Sequence, residues 1–331
     1  MHRRRLGAGG PEVSAIGVGA MSFAGVYGRT TEAEAHRLLD AALGLGIDHV
    51  DTSNVYGMGL SERMIGSFLA RAGRDRFRIA TKAGIRHDPD SGARSFDNGR
   101  AHLTAELEGS LKRLAVEAVD LFYVHRRDPG LPIEEVAETL AGLVEAGKAK
   151  AIGFSEIAPS SLRRAAAVHP VAAVQSEYSL WTRAPELGLV QACEALGTAL
   201  VAFSPVGRGM LTDAPPTAER IEASDFLRAN PRFIEPNLGA NRTQAAGFRR
   251  LAAEMGTSAA ALAIGWVLAR SPAVVPIRGT RSPAHLKELA AGAAMTLGAD
   301  DLARIEAVLP VGWAHGDRYS AAQSVGPERY C

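Results

Sequence analysis

Four side chains suited to acid–base chemistry stand near the ends of short apolar runs in this sequence. A carboxylate, an ammonium and an imidazole each directly follow a different run, and a phenol lies five residues after the carboxylate; these are Asp51, Lys82, His125 and Tyr56. A phenol ionises only at about pH 10 in water, but a neighbouring ammonium stabilises the phenolate. A carboxylate would hold that ammonium, and an imidazole could bind the same substrate oxygen or relay the proton. Such a set suits the protonation of an oxygen that becomes negative as hydride reaches a carbonyl carbon.

Each of these residues also has a structural interpretation of its own. Alone, Asp51 would be a turn or capping carboxylate, Tyr56 a packing aromatic, and Lys82 a strand-end lysine that reaches water. His125, one of nine histidines, would alone be a core residue. The four form a site only if the surrounding strands and helices bring them to one place.

These elements are short apolar, β-branched runs that alternate with amphipathic segments. The eight runs are Val13–Gly19, Ile47–Val50, Phe77–Thr81, Val119–Val124, Ala151–Phe154, Val171–Val174, Ala199–Phe203 and Val274–Ile277. The segments with helical periodicity are Thr31–Leu45, Arg100–Leu114, Ile133–Glu145, Pro159–Val168, Pro185–Leu196 and Ser258–Ala269. The alternation predicts one α/β domain over residues 1–331, a closed (β/α)8 TIM barrel. An open doubly wound sheet is the alternative, but the G-x-G-x-x-G that usually marks it is absent.

Nearly every apolar run ends in a polar or ionisable residue. These residues are Asp51, Lys82, His125, Ser155, Gln175, Ser204 and Arg278. In a (β/α)8 barrel the carboxyl ends of the strands meet at one face, where active sites form. Around the barrel we predict a short N-terminal extension, a polar loop over Gly84–Phe96 and a long loop over Gly207–Asn241 after the seventh strand. We expect the segment after Leu309 to form a tail over the barrel mouth.

Composition narrows the class of protein. Lys and Arg number 37 against 36 for Asp and Glu, and a net charge of +1 argues against a nucleic-acid binder. Two cysteines allow no disulfide framework, and no segment reaches the roughly 18 apolar residues of a membrane span. No zinc-protease, P-loop or acidic metal-binding motif occurs. We therefore expect a soluble, cytoplasmic protein with no metal, nucleic-acid or membrane partner; its oligomeric state stays open.

Seven short motifs, in order and at consistent spacing, resemble those of the aldo-keto reductase family. They are Asp51–Gly57, Ala80–Lys82, Leu121–His125, Gly153–Ser155, Gln175–Ser179, Phe203–Leu211 and Pro276–Arg281. The resemblance extends from about Val13 to Leu309. It implies a (β/α)8 barrel that uses NADPH to reduce the carbonyl group of aldehydes or ketones to an alcohol, and the apolar and aromatic residues near the mouth fit medium-sized substrates, including aromatic ones. It also implies that Tyr56 is the general acid. Its partners would be Asp51, Lys82 and His125.

The resemblance implies a cofactor site as well. Ser155 and Gln175 would hold the nicotinamide carboxamide, Phe203 would stack on the nicotinamide ring, and Gly279–Arg281 would bind the 2′-phosphate. The implied cofactor residues are Gly19, Ala20, Met21, Asp51, Ser155, Gln175, Phe203, Ser204, Pro205, Val206, Gly207, Arg208, Gly209, Gly279, Thr280, Arg281, His285 and Glu288. The cation of Arg281 favours NADPH over NADH. The predicted substrate-binding residues are Met21, Phe23, Tyr56, His125 and Trp181.

Some positions depart from the residues that are commoner in the family. Glu156 stands where an asparagine usually follows the serine, so an amide donor is lost, and Phe203 replaces a common tyrosine but keeps its ring. Arg278 replaces a frequent proline, and Leu289 replaces an asparagine that often contacts adenine. The motifs look most like those of the perakine-reductase-like branch, which tolerates the glutamate; they are Gly153–Glu156, Glu177–Arg183 and Pro205–Gly209.

Two other functions stay open at this point. Lys82 could be the Schiff-base nucleophile of a barrel aldolase or lyase, although Asp51 and Tyr56 would keep it charged. The protein could also be an NADP(H)-binding regulatory subunit with little turnover, like the related potassium-channel β subunits. The complete set of four residues favours an NADP-dependent aldo-keto reductase of the alcohol dehydrogenase (NADP+) type.

Overall fold

Eight parallel strands in the described part of the chain close into a barrel. The computed structural model describes residues 1–26, 28–87 and 93–330. The strands are β1 (Gly17–Gly19), β2 (His49–Asp51), β3 (Arg78–Ala83), β4 (Leu121–Val124), β5 (Ile152–Ser155), β6 (Val171–Glu177), β7 (Ala199–Phe203) and β8 (Val274–Arg278). Each strand pairs with the next along the chain, and β8 pairs with β1. The predicted (β/α)8 barrel is confirmed.

Helices alternate with these strands. They are α1 (Glu32–Gly44), α2 (Leu60–Ala72), α3 (Arg100–Leu114), α4 (Ile133–Glu145), α5 (Pro159–Val168), α6 (Leu189–Leu196), α7 (Ala218–Glu222), α8 (Asp225–Arg228), α9 (Asn237–Glu254), α10 (Ala259–Ala269), α11 (Pro283–Gly292) and α12 (Ala299–Val308). Short 3-10 turns cover Ala20–Ala24, Ala184–Glu186, Gly207–Gly209 and Pro231–Phe233. Two antiparallel hairpins pair Arg3–Arg5 with Glu12–Ser14 and Ile85–His87 with Arg94–Phe96.

Local sequence explains where the helices begin and which side they bury. At the start of α1, the Thr31 hydroxyl accepts the Glu34 amide and the Glu34 carboxylate accepts the Thr31 amide, a capping box. The apolar face of α1, at steps of three and four residues, is buried. The bounds predicted for α3, α4 and α5 agree with the structure. Strong periodicity and a clear polar start therefore locate a helix well in this chain.

The predicted single strand Val13–Gly19 is wrong. Its first part, Glu12–Ser14, belongs to the N-terminal hairpin, and only Gly17–Gly19 enters the barrel as β1. The Ser14 hydroxyl donates to the Ile16 carbonyl at 2.7 Å, and this local bond replaces the ladder of a continuous strand. The apolar pattern persists across the break because both parts are buried.

The segment Gly207–Asn241 is more ordered than a long loop. It contains α7, α8 and two 3-10 turns, and α9 begins within it at Asn237. In the loop predicted over Gly84–Phe96, a hairpin forms on both sides of residues 88–92, which lie outside the described residues. Both segments follow strand ends, so they lie at the face that carries the candidate site.

The buried core has two layers. One layer lies between the strands and the helices, and the other fills the barrel with side chains such as Leu121, Tyr123 and Val275. Leu6 and Val13 of the N-terminal hairpin join the inner layer. The hairpin thus covers the amino ends of the strands and leaves the site to the carboxyl ends.

Within the described residues, no individual helix has the length and apolarity to cross a membrane. Helices α9 and α10 meet that criterion of length and composition only when taken together, and the chain bends by 90° between them.

Candidate active site

The barrel brings the four predicted catalytic residues together. Asp51 pairs with Ala80 across β2 and β3, and because side chains alternate along a strand, Lys82 faces the same side as Ala80. His125 directly follows β4, and the ring of Tyr56 lies edge-on to its imidazole with ring centroids 5.7 Å apart. Residues separated by up to 74 positions therefore share one point at the mouth.

Lys82 is the centre of this group. Its ammonium is completely buried and donates to a carboxylate oxygen of Asp51, to the carbonyl of Thr52 at 2.8 Å and to the hydroxyl of Tyr56 at 3.4 Å. Three donors meet three acceptors, which satisfies a lysine ammonium. Burial on its own lowers the pKa of Lys82, but the Asp51 and Tyr56 oxygens outweigh it, so the pKa is raised. Lys82 is therefore an ammonium in this site.

Asp51 is held from two sides. One of its oxygens accepts from Lys82, and the other accepts from the side-chain amide of Gln175 at 2.7 Å. Asp51 is 1% exposed, and a carboxylate at such depth needs charged or amide donors. The Gln175 nitrogen, predicted beside a nicotinamide, thus has a partner within the protein, and its carbonyl oxygen is the part left for a ligand.

His125 is a neutral imidazole. Burial lowers its pKa well below the ordinary value, and the charges of Arg126, Lys82 and Arg94 lower it further. Its Nδ1 and the Ser53 hydroxyl are hydrogen-bonded at 3.0 Å. The ring is thereby fixed with Nε2 as its remaining polar atom.

Two cavities adjoin at the carboxyl ends of the strands. The first, of about 190 Å3, is lined by Gly19, Met21, Val26, Asp51, Tyr56, His125, Arg126, Ser155, Gln175, Phe203, Ser204, Arg208, Phe226, Ile277, Arg278, Gly279 and Tyr319. The second, of about 500 Å3, is lined by Ser22, Glu34, Val206, Gly209, Thr212, Asp213, Ala214, Arg220, Ala260, Arg278, Gly279, Thr280, Arg281, Ser282, His285, Glu288 and Leu289. Arg278 and Gly279 belong to both, so a single elongated ligand fits across β8 from one cavity into the other.

Most of the predicted cofactor residues line one of these cavities, and three do not. Ala20 is fully buried beneath the mouth, and its carbonyl accepts from the Ser61 hydroxyl. Pro205 and Gly207 are also buried. A Cβ on Gly207 would stand 2.6 Å from the ring of Trp181, so this glycine serves the packing under the loop.

Two of the predicted substrate-binding residues are corrected by the structure. Phe23 is fully buried, because the 3-10 turn Ala20–Ala24 directs its ring into the core. Trp181 is 3% exposed and stacks on Trp313 at 6.0 Å, beneath the tail. Neither lines the first cavity, whereas Met21, Tyr56 and His125 do. An aromatic residue close to a strand end is equally compatible with core packing, and the sequence pattern did not separate the two roles.

The tail expected over the barrel mouth lies there, and together with α8 it supplies part of the cavity wall. Tyr319 and Phe226 line the first cavity, and the Arg208 guanidinium lies over both rings at 5.0 to 5.1 Å. Arg208 also donates to the Glu177 carboxylate at 2.6 Å and to the Arg318 carbonyl at 2.9 Å. The Arg208 side chain, predicted to bind the cofactor, is thus directed toward Glu177 and the tail.

Glu156 holds the tail in place. Both guanidinium nitrogens of Arg318 donate to its carboxylate, which is 2% exposed. The Glu156 carbonyl accepts the Glu328 amide at 2.8 Å. Burial by itself raises the pKa of Glu156, but Arg318 outweighs burial and the pKa is lowered. The glutamate that departs from the common asparagine at this position therefore has a structural role, as a contact of the tail.

The second cavity has groups suited to a phosphate. Ser282 caps α11, where its hydroxyl accepts the His285 amide, and helix N-termini attract anions. One Arg281 nitrogen donates to the Arg29 carbonyl at 2.9 Å, which positions the guanidinium at this end. A Cβ on Gly19 would stand 3.2 Å from the Gly279 amide, so glycine lets the ends of β1 and β8 approach closely here. In the part of the chain that the structure describes, no group of three or more His, Cys, Asp or Glu residues forms a metal site.

Comparison with known sequences agrees with this geometry. The profile described as "Aldo/keto reductase family" matches residues 15–310. "Probable aldo-keto reductase 1" of Glycine max is 38% identical over 318 residues, 95% of this chain and 91% of that protein. "Aldo-keto reductase yakc [NADP(+)]" of Schizosaccharomyces pombe is 36% identical over 284 residues, 85% of this chain and 84% of that protein.

Solved structures agree as well. The glycerol dehydrogenase AKR11B4 from Gluconobacter oxydans superimposes with a TM-score of 0.82 at 28% identity, over 93% of this chain and 94% of that one. The aldo-keto reductase AKR11C1 from Bacillus halodurans, in its holo form, superimposes with a TM-score of 0.78 at 25% identity, over 93% and 96%. The resemblance inferred from the motifs is thereby confirmed at the level of the family, and the perakine-reductase-like branch stays a prediction. With a profile that covers most of its length, a closed barrel and relatives above 30% identity, the chain belongs to the aldo/keto reductase family.

Proposed function

We propose that this protein is an NADPH-dependent oxidoreductase that reduces the carbonyl group of small aldehydes or ketones, with Tyr56 as proton donor. The observation that carries the proposal is the contact between the Lys82 ammonium and the Tyr56 hydroxyl, 3.4 Å apart at the wall of the first cavity. The printed name of the Schizosaccharomyces pombe relative includes NADP(+), which supports the choice of cofactor.

Four residues of the chain have separate roles in protonating the carbonyl oxygen. When bound, NADPH supplies a hydride to the carbonyl carbon. The Tyr56 hydroxyl donates its proton to the carbonyl oxygen, and the Lys82 ammonium stabilises the phenolate that remains. Asp51 keeps Lys82 charged and in place. The neutral His125 binds the substrate oxygen through Nε2 and orients it toward Tyr56.

The two adjoining cavities fit the two ends of the cofactor. Ser155, Gln175 and Phe203 line the first cavity and would hold the nicotinamide. Thr280, Arg281 and the N-terminus of α11 line the second and would hold the 2′-phosphate. Val206, Gly209, His285 and Glu288 would complete the adenosine side.

A Schiff-base role for Lys82 is not supported. Such a nucleophile must be a neutral amine, whereas the raised pKa of Lys82 keeps its proton bound. All three donors of the ammonium are also occupied within the protein. A carbonyl carbon would have to displace Asp51 or Tyr56 to reach it.

The first experiment is a tryptophan-fluorescence titration with NADPH and NADH, followed by the oxidation of NADPH with benzaldehyde. We expect tight binding, a preference for NADPH and turnover. Binding without turnover would favour the regulatory subunit, and the absence of binding would refute the proposal.

Arg281→Ala tests the phosphate end. The variant loses a charge-assisted bond to the 2′-phosphate, so we expect its Kd for NADPH to rise about 10-fold or more while its Kd for NADH changes little. Arg164→Ala, which removes an exposed arginine paired with Glu134, is the matched control. An unchanged NADPH-to-NADH ratio in Arg281→Ala would place 2′-phosphate recognition elsewhere.

A further inference from the structure

Arg126 is a cation in the first cavity that the proposed chemistry does not use. It directly follows His125 and lines the same cavity as Tyr56. One of its guanidinium nitrogens, Nη1, donates to the His125 carbonyl at 2.7 Å and to the Ser155 hydroxyl at 3.0 Å. These two bonds fix the plane of the guanidinium beside the catalytic imidazole and leave Nη2 and Nε as its remaining donors.

Arg126 forms no salt bridge with a carboxylate of the described residues, although its charge helps to lower the pKa of Glu156. The two buried carboxylates of this region are already held, Glu156 by Arg318 and Glu177 by Arg208. The region therefore carries an excess of positive charge. An anion that binds Arg126 would relieve this excess.

The phosphates of the proposed cofactor do not account for Arg126. Arg281 and the start of α11 follow β8, whereas Arg126 follows β4. Three strands lie between β8 and β4 in either direction around the eight-stranded barrel, so the two arginines lie on opposite sides of the mouth. The anion that suits Arg126 must therefore belong to the other ligand of the cavity, the carbonyl substrate.

We infer that Arg126 binds a carboxylate on the substrate, so that short oxo acids are preferred over neutral carbonyl compounds. This inference rests on the proposed function. An arginine fork matches the two oxygens of a carboxylate. The cavity of about 190 Å3 must also receive the nicotinamide end of the cofactor, which limits the substrate to a small molecule. The position of Arg126 next to His125 places the carboxylate a few bonds from the reacting carbonyl.

Matched pairs of substrates test the inference. For the wild type, kcat/KM should be higher for 3- or 4-carboxybenzaldehyde than for the corresponding methylbenzaldehyde. In Arg126→Met the acid-to-neutral ratio should fall about 10- to 100-fold, and Arg126→Lys should retain part of the preference. An effect of the substitution on proton donation would change kcat/KM equally for both substrates, so it would not change the ratio of the two values. Arg304→Met removes an exposed charge from α12 and should leave the ratio unchanged.

Two results would overturn the inference. If Arg126→Met slows both members of each pair equally and weakens NADPH binding, Arg126 acts on the cofactor through Ser155. If the preference is seen only for glyceraldehyde 3-phosphate over glyceraldehyde, the site recognises a phosphate rather than a carboxylate.

A binding measurement separates this inference from the proposed function. By calorimetry in the presence of NADP+, benzoate should bind about 10-fold or more tightly than benzamide, and Arg126→Met should remove most of that difference. Equal binding of the two compounds, or an unchanged difference in the variant, would refute the role of Arg126. A wild type that reduces no aldehyde would instead refute the proposed reductase, while the benzoate result would still decide whether Arg126 binds carboxylates.

Discussion

A buried ammonium with every donor occupied supports the proposal that Tyr56, rather than Lys82, is the reactive group. Lys82 is held by Asp51 and by the Thr52 carbonyl, and its third donor reaches the Tyr56 hydroxyl. Lys82 keeps its proton, because the pKa of its ammonium is raised. A fixed positive charge next to a phenol selectively stabilises the deprotonated product of proton donation, which is the state that catalysis must reach.

Tyr56→Phe should remove the proton donor and little else. We expect kcat for aldehyde reduction to fall about 100- to 10,000-fold, the range for losing a general acid, while the Kd for NADPH stays within about twofold. Steady-state oxidation of NADPH and a fluorescence titration measure the two quantities. Tyr178→Phe is the control, because its hydroxyl binds Glu186 away from the cavities. Near-native turnover of Tyr56→Phe would show that another group donates the proton.

At the level of single residues, the sequence located the ionisable groups better than the cavity walls. Asp51, Lys82 and His125 are recognisable because a charged or polar group rarely follows an apolar run without a reason. Phe23 and Trp181 are apolar, and nothing in their type separates a core side chain from a cavity wall. Arg126 could not be singled out from the sequence, because the sequence does not show which arginine forms no salt bridge.

At the level of elements, one of the contacts that hold the tail is a buried carboxylate in an uncommon backbone conformation, beside bonds such as that from Arg208 to the Arg318 carbonyl. Glu156 has φ of +59°, a left-handed value that costs energy in a residue other than glycine. This conformation lets its side chain accept both nitrogens of Arg318 while its carbonyl accepts the Glu328 amide. The tail in turn carries Tyr319 to the cavity wall.

Arg318→Met should release the tail. Removing one partner of a buried ion pair costs about 3 kcal/mol, less where that partner is partly exposed, as Arg318 is, so hydrogen exchange of the residues next to Arg318 should accelerate about 10-fold or more. We also expect KM for aldehydes to rise, because Tyr319 leaves the cavity wall. Arg329→Met, an exposed position in the same segment, is the matched control. Unchanged exchange in Arg318→Met would mean that other contacts anchor the tail.

The secondary structure was predictable where the periodicity is regular and poorly predictable where glycines interrupt it. Helices α3 and α4 have long amphipathic runs. The sequence does not predict helix α2, because Gly59 precedes it and Gly66 lies inside it. Gly66 is needed there because the backbone of Arg113 and Leu114 approaches so closely that a Cβ would clash. The tail has little secondary structure, and its position depends on contacts between residues more than 150 positions apart, which no local pattern records.

At the scale of the whole molecule, two buried neutral histidines link stability to pH. Burial lowers the pKa of His49 and lowers that of His125 well below the ordinary value. His49 lies in β2, where Nδ1 is hydrogen-bonded to the Arg78 carbonyl. In the unfolded chain both imidazoles take up a proton below about pH 6.5, whereas in the folded protein both remain neutral. The unfolded state therefore binds more protons, and stability must fall as the pH falls below that value.

We expect the free energy of unfolding in urea to be constant near pH 7.5 and to decrease between pH 6.5 and 5, by at most about 1.4 kcal/mol per pH unit for each histidine. Paired carboxylates such as Glu156 contribute with the same sign, but only when the pH approaches about 4.3, the ordinary pKa of glutamate, so this window isolates the histidines. In His49→Gln the slope should fall by about half, while His2→Gln, at the exposed N-terminus, should keep the full slope. A free energy of unfolding that stays constant from pH 7.5 to pH 5 would contradict the burial of two neutral imidazoles in the native protein.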